Sequence, residues 1–312
     1  MAMVWSSEPE LIAKLRGRVT LPRTAGVVLG IGDDCAIVRP RGAGEDWLYT
    51  TDMLIEGTHF RRETHGARDV GWKALARGLS DIAAMGGEAR FCLLSLALAS
   101  WVDARWLDGF YEGLLALASR AGAALIGGDL ARTDRVMCDI VVAGTVPRGK
   151  ALRRDGARAG DAIYVSGALG GSALGLASER GKAWLRHKRP EPRLGLGRFL
   201  RTSVGATAAM DLSDGLSLDL HRLCAASGLR AQISAPPVYR GATLAQALHG
   251  GEDYELLFTA PARVRVPDEF EGLALTRIGT MRKGLAGAVE MDGAPLPPLG
   301  YDHLRHDHLR RL

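Results

Sequence analysis

Cysteine is scarce in this chain and badly placed for chemistry. The four residues, Cys35, Cys92, Cys138 and Cys224, lie far apart, with no C-x-x-C pair and no Cys/His cluster. That argues against a zinc site and a disulfide framework, and leaves small residues buried in strands and helices. Long apolar runs are missing too. The longest, Phe91 to Ala99, suits a buried strand and falls well short of a membrane span. No basic region followed by an apolar core opens the chain, so no secretory signal is expected and the cytoplasm is the default location. A nucleotide-binding P-loop is absent as well. Gly144 to Lys150 has its spacing, but Ala151 stands where a Mg²⁺-binding hydroxyl belongs and Pro147 removes an amide from the cradle.

What remains is ordinary for a globular protein. The 312 residues are 47% hydrophobic and 24% charged, enough for two domains with a core in each. The net charge of +5 is unevenly spread: between Arg180 and Arg201 eight Lys and Arg residues face one acid, Glu191. Such a run can signal nucleic acid. Pro190, Pro192 and a choice of only Trp184 and Phe199 for base stacking favour a solvated helix and loop. Neither nucleic acid nor membrane is expected as a partner. Whether the stretch from Arg186 to Arg193 is a flap over a site or a plain linker stays open.

The acids are more informative. Asp211-Leu212-Ser213-Asp214-Gly215 puts two carboxylates and a hydroxyl ahead of a helix-like run through Leu216, Leu220, Leu223 and Cys224. A helix N-cap needs one such side chain, not three. Bare Asp recurs beside small residues at Gly32-Asp33-Asp34, Thr50-Thr51-Asp52, Ser80-Asp81 and Gly127-Gly128-Asp129. Carboxylates at five such turns suit a hard cation with oxygen ligands.

Local patterning places these motifs. Helix is expected over residues 8–17, from an Asp69 cap to Met85, and from Asp103 to Ala121. Strands are expected at Val27–Leu29, Ala36–Val38, Trp47–Thr51, Phe91–Ala99, Val136–Gly144, Ala162–Val165, Leu229–Ile233 and Leu256–Thr259. With 33 and 34 read as strand residues, their side chains point to opposite faces, so at most one faces a common site. Lys73, Arg77 and Asp81 form one polar stripe, read as a solvated face with helical ion pairs. Asp81 sits near the helix C-terminus, where a metal would offset the unfavourable dipole. A composition shift over Arg148 to Gly160 marks a domain boundary, Gly293 to Leu299 a Pro-rich turn, and His303, His306 and His308 a solvated tail.

Separated Asp residues with Thr50 and Thr51 suit Mg²⁺ that keeps water and phosphate oxygens among its ligands, which points to phosphoryl transfer. Taken in order, Gly30-Ile-Gly-Asp-Asp-Cys-Ala36, Thr50-Thr-Asp52, Leu79-Ser-Asp-Ile-Ala-Ala-Met-Gly86, Ile126-Gly-Gly-Asp129, Asp211-Leu-Ser-Asp-Gly215 and Gly250-Gly-Glu-Asp-Tyr-Glu-Leu256 closely resemble the thiamine-monophosphate kinase family. That family lies in the superfamily of aminoimidazole ribonucleotide synthetase and selenophosphate synthetase.

The resemblance implies an α/β (α+β) two-domain fold. Residues 1–148 would bind ATP and Mg²⁺ and dimerise through a sheet with helices, and the α/β domain of residues 149–312 would complete the site. It implies a homodimer that phosphorylates thiamine monophosphate to thiamine diphosphate with ATP, by in-line transfer assisted by several Mg²⁺ ions. Asp34, Thr50, Thr51, Asp52, Asp81, Asp129, Asp211 and Asp214 would be metal ligands, with Asp52, Asp129 and Asp214 central to catalysis. Tyr111, Gly128, Asp129, Arg154 and Ser213 would contact ATP, and His59, Glu252 and Tyr301 the acceptor. Rival readings are a different acceptor within the superfamily and a non-catalytic nucleotide-binding protein. No cysteine precedes the first glycine-acid motif, which disfavours selenophosphate synthesis.

Overall fold

The computed structural model describes residues 7–22 and 26–302, so His303, His306 and His308 lie outside the described residues. Two sheets organise the chain. The first is built from β1 (Val27–Leu29), β2 (Ala36–Val38), β3 (Glu45–Ile55), β4 (Glu88–Leu98), β5 (Ala124–Arg132) and β6 (Met137–Pro147). Their order is β1-β2-β3-β6-β4-β5, antiparallel except for the β4/β5 pair. Alternation along β3, β4 and β6 turns Leu48, Leu54, Leu94, Leu96, Ile140 and Val142 inward. There they meet Leu75, Leu79 and Ile82 of α2 (Ala67–Ala84) and Phe110 and Leu114 of α3 (Ala104–Ala121). The opposite face of this sheet leaves Tyr49, Met53 and Leu93 exposed.

The second sheet comprises β7 (Ala162–Ser166), β8 (Ala208–Asp211), β9 (Arg230–Ile233), β10 (Leu256–Ala260), β12 (Leu273–Arg282), β13 (Val289–Met291) and β14 (Ala294–Pro295), with the short β11 (Glu269–Phe270) paired to β12. Ile163, Val165, Met210 and Leu257 form its core with Leu216, Leu220 and Leu223 of α7 (Leu216–Ala226). Its other face covers Phe258 and Leu256 with Leu196 of α6 (Leu194–Phe199), Leu200, and Ala83 and Ala84 from the end of α2. Thus α2 belongs to both cores. The remaining helices are α1 (Glu8–Arg18), α4 (Gly171–Ser178), α5 (Gly181–Lys188) and α8 (Leu244–His249). Among the described residues, no helix is long and apolar enough to cross a membrane.

Several sequence expectations need correction. Asp33 and Asp34 lie in a bend between β1 and β2, not in a strand, so the opposite-face rule does not govern them. Gly127-Gly128-Asp129 lies inside β5, not at a turn. Gly128 is there for space: a Cβ would sit 1.8 Å from the Leu94 carbonyl oxygen. Asp69 does not cap α2, whose N-cap is Gly66. It is buried in the first turn and binds Lys188 at 2.5 Å and also Arg189.

The basic segment is solvated only in part: Arg180, Lys182 and Arg198 are exposed, but the stretch from Arg186 to Arg193 is packed. Arg186 and Arg193 reach Glu255 at 2.8 and 2.5 Å, and Trp72 Nε1 donates to the Pro190 carbonyl at 2.9 Å. It straps α2 to the second sheet. The segment from Gly144 to Pro147 is part of β6, consistent with rejecting it as a phosphate loop. All four cysteines are buried and unpaired.

Candidate active site

The stripe on α2 is the spine of the site, and it is not solvated. Lys73 is fully buried, and the Arg77 side chain is only 11% exposed. Arg77 donates to Asp52 Oδ1 at 3.0 Å and to the Met53 carbonyl at 2.8 Å, tying α2 to the inner side of β3. One turn further along α2, Asp81 accepts from the Thr50 hydroxyl. Its neighbour Ser80 donates to Asp211 Oδ2 at 2.7 Å. Asp211 ends β8, so the last turns of α2 bring a carboxylate from the second sheet against one from the helix.

Asp34 completes the cluster from the β1–β2 bend. Asp34, Asp81 and Asp211 each offer an oxygen within 4.8 Å of the others. Crowding has the expected electrostatic consequence. Burial, reinforced by Asp52, Asp211 and Asp34, pushes the Asp81 carboxyl well above its ordinary range, and burial with Asp34 does the same to Asp211. Asp34 Oδ2 is buried without a hydrogen-bond partner. Close carboxylates and an orphaned buried oxygen are the donor set a hard divalent cation satisfies. The residues fit Mg²⁺.

Arg154 closes this end. Its guanidinium binds Asp34, and its backbone N–H donates to Asp33 Oδ2 at 3.1 Å. Both acids of the pair therefore approach one arginine, and burial followed by the Asp34 charge pushes Asp33 up to about 7. Only Asp34 joins the cluster.

The 211–215 loop is shaped by a residue the sequence reading passed over. Asp219, wholly buried on α7, accepts the N–H groups of Asp214 at 3.1 Å and Gly215 at 3.0 Å. Gly215 has φ +110°, and a Cβ there would lie 2.9 Å from the His249 carbonyl carbon. Arg222 binds Asp214 at 2.5 Å and Asp219 at 3.0 Å. Helical spacing from Asp219 to Arg222 was the available clue. Ser213 contributes its carbonyl, which accepts the Glu252 N–H at 2.7 Å.

The expected acceptor contacts converge nearby. Glu252 receives Lys73 Nζ at 2.9 Å, and the Lys73 charge holds its carboxyl down at about 2 against the effect of burial. His59 Nδ1 accepts the Ile55 N–H at 3.0 Å, and the His59 carbonyl accepts from Lys73 at 3.1 Å. Tyr301 N–H donates to the Asp214 carbonyl at 2.9 Å. Burial, then Glu252 and Asp214, raise its phenol pKa. The Asp52 carboxyl is raised by burial, with Arg77 opposing and Asp214 and Asp139 adding.

Three expected residues stand apart from this group. The Thr51 hydroxyl donates to Asp139 at 2.6 Å. Asp129 lies in the cross-strand row Met53–Asp139–Ser95–Asp129, the row of the sheet's open face. Tyr111 packs edge-on against Phe110 on α3, with ring centroids 5.6 Å apart.

A helix-backed sheet carrying acidic turns, joined through α2 to a second sheet, defines a class before it defines a protein. Residues 32–146 match the family described as AIR synthase related protein, N-terminal domain. Hydrogenase maturation protein HypE in complex with ATP shares this fold at 19% identity and a TM-score of 0.63. Closer similarity is to one branch. Thiamine-monophosphate kinase of Salmonella typhimurium is 39% identical over 95% of this chain and 98% of its own length. The Bacillus subtilis protein of that name is 33% identical over 91% and 97%. The structure of AaThiL complexed with AMPPCP and TMP aligns with a TM-score of 0.85 at 31% identity, covering 97% of this chain and 99% of that one. This chain belongs to the thiamine-monophosphate kinase family.

Proposed function

We propose that this chain transfers the γ-phosphoryl group of ATP to thiamine monophosphate, giving thiamine diphosphate and ADP. The observation that carries the proposal is the meeting of Asp34, Asp81 and Asp211 within 4.8 Å where the two sheets are joined. These residues would hold Mg²⁺, with Thr50 orienting Asp81 and with Asp52 and Asp214 supplying further oxygens; Thr51 and Asp129, on the open face of the first sheet, would serve a separate ion there. Bound there, Mg²⁺ neutralises charge on the transferring phosphates.

The chain's own contribution is positioning and charge. Arg154, Ser213, Gly128 and Tyr111 take the nucleotide, and His59, Glu252 and Tyr301 take the thiamine moiety. The attacking oxygen belongs to a phosphate monoester already largely ionised near neutral pH, its second pKa being about 6. In-line attack therefore needs no strong general base, in keeping with a site rich in Asp.

Two domains, residues 1–148 and 149–312, divide the labour, the first carrying the dimer contact. The open face of the first sheet, with Met53 and Leu93 exposed beside the edge-strand residues Ile126 and Leu130, is an apolar surface suited to a second copy of the chain. Asp129 lies on the strand edge such a dimer would cover. We place the enzyme in the cytoplasm.

The test is ADP release from Mg²⁺-ATP with thiamine monophosphate, with thiamine, and with no acceptor. Turnover confined to the monophosphate, with thiamine diphosphate as product, supports the proposal. Equal turnover with thiamine, or none with either, overturns it.

A further inference from the structure

A fully buried lysine is rare unless paired, and Lys73 is 0% exposed. Its ammonium has two partners on different parts of the fold. One is the Glu252 carboxylate at 2.9 Å, on the loop before β10; the other is the His59 carbonyl at 3.1 Å, on the loop after β3. These are two of the three residues assigned above to the thiamine moiety, one from each half of the chain. We infer that Lys73 is a positioning residue for the acceptor: buried behind the pocket, it fixes Glu252 and His59 at their working separation without touching the acceptor. The inference rests on the acceptor contacts proposed above.

Three observations support it. The Glu252 side chain remains 24% exposed while Lys73 is sealed off, so the pair has a closed back and an open front. The back is finished by His187, whose Nδ1 is 3.4 Å from Glu252 and 2.9 Å from the Ser172 hydroxyl.

Glu252 also has φ +65°, which a residue with a side chain rarely adopts. Its loop is held there by Glu252 N–H on the Ser213 carbonyl at 2.7 Å and Tyr254 N–H on the Leu212 carbonyl at 2.9 Å. An unusual backbone conformation is thus maintained so that the carboxylate meets the ammonium.

The His59 ring is separately fixed by the Ile55 N–H on Nδ1 at 3.0 Å, so Lys73 need only place the loop. Burial lowers the lysine pKa, a standing cost offset by Glu252. An apolar pair would fill such a space at least as stably. Retaining the ions has its use in presenting an oriented carboxylate to a cationic or hydrogen-bond-donating ring, as the thiamine moiety provides.

The experiment is steady-state kinetics on the full-length enzyme with Mg²⁺-ATP and thiamine monophosphate. Wild type is compared with Lys73→Met, Glu252→Gln and the double variant. Both single variants are expected to raise KM for thiamine monophosphate roughly 30-fold, the lower end for truncating a buried charge pair, with KM for ATP unchanged. The double variant is expected to be no worse than the poorer single one, since both changes remove the same presentation. If Lys73→Met does not fold, Lys73→Gln, which keeps a donor toward the His59 carbonyl but not the charge, must still raise the acceptor KM.

A purely structural lysine gives a different pattern: kcat and both KM values move together, or the acceptor KM stays put in Lys73→Met while Glu252→Gln raises it. Either result overturns the inference and leaves the proposed function standing. An acceptor KM unmoved in Glu252→Gln removes the assignment of Glu252 to the acceptor, and the inference with it.

Discussion

Glu255 offers a sharp test of the strap between the halves of the chain. Its carboxylate is wholly buried and accepts from the Ser166 hydroxyl at 2.5 Å, Arg186 at 2.8 Å, and Arg193 through Nε at 3.0 Å and Nη2 at 2.5 Å. Glu255→Gln keeps the volume, removes the charge and turns an amide donor toward two guanidinium groups. Removing one partner of a buried ion pair costs about 3–5 kcal/mol. The two arginine side chains are 20% and 19% exposed and regain some hydration, which brings the expected loss to about 2–3 kcal/mol. At about 2–4 °C per kcal/mol for a large domain, the melting temperature should fall by about 4–12 °C. Scanning calorimetry measures this directly. Replacing all three residues with apolar ones, Glu255→Leu with Arg186→Met and Arg193→Met, should recover much of the loss. A Glu255→Gln variant that melts with the wild type would falsify the claim that these ion pairs hold α5 and α6 in place.

The acidic cluster predicts metal linkage. Saturating Mg²⁺ should raise the melting temperature, by about 2.7 kcal/mol of stability at a hundredfold excess over Kd, and Asp81→Asn should abolish the rise and cut turnover by more than about 100-fold. Acid lability should come from His187 and His65, whose pKa values burial lowers to about 3 and about 4. Both stay neutral when folded but protonate near 6.5 when unfolded. Stability is therefore complete above pH 6.5 and declines as pH falls toward 4, by up to about 3 kcal/mol for His187 alone. Denaturant midpoints against pH, with His187→Leu flattening the curve, decide this. Finally, Met53→Glu with Leu93→Glu should shift sedimentation from dimer to monomer without lowering the helical circular dichroism signal; an unchanged sedimentation coefficient removes the open sheet face as the interface.

The sequence carried the acid motifs and most of the elements that bear them. It read the start of α7 after Asp211 and Asp214, the helix from Asp103, whose carboxylate turns out to cap α3 by accepting the Trp106 N–H at 2.7 Å, and the strand leading to Thr50 and Asp52, but not β8. Its errors about the site share one cause, that polarity was equated with solvent. The Lys73–Arg77–Asp81 stripe has the spacing of a solvated face, and nothing local reveals that β3 and the 250–255 loop cover it. Asp69 looks like a cap, yet its partners Lys188 and Arg189 are more than a hundred residues away. The basic run looks free because its acids, Asp69, Asp253 and Glu255, come from elsewhere in the chain. Backbone context misled elsewhere: 33 and 34 were read as strand where the chain bends, glycines suggested a turn at 127–129 where strand packing required them, and β11 to β14 went unassigned beyond Thr259.

Helix α2 also acts as a length gauge. Lys73 sits behind the acceptor pocket and Asp81 in the acidic cluster, two turns apart on one helix, with Arg77 between them. At 1.5 Å per residue, the two poles are about 12 Å apart along the axis. In the proposed reaction this rigid rod would set the distance from ring recognition to phosphoryl chemistry, and so the length of acceptor that fits. The same rigidity makes the segment from 74 to 80 intolerant of indels. One inserted residue would turn everything beyond it by about 100° and advance it by about 1.5 Å, uncoupling the acidic cluster from the acceptor pocket in a single step.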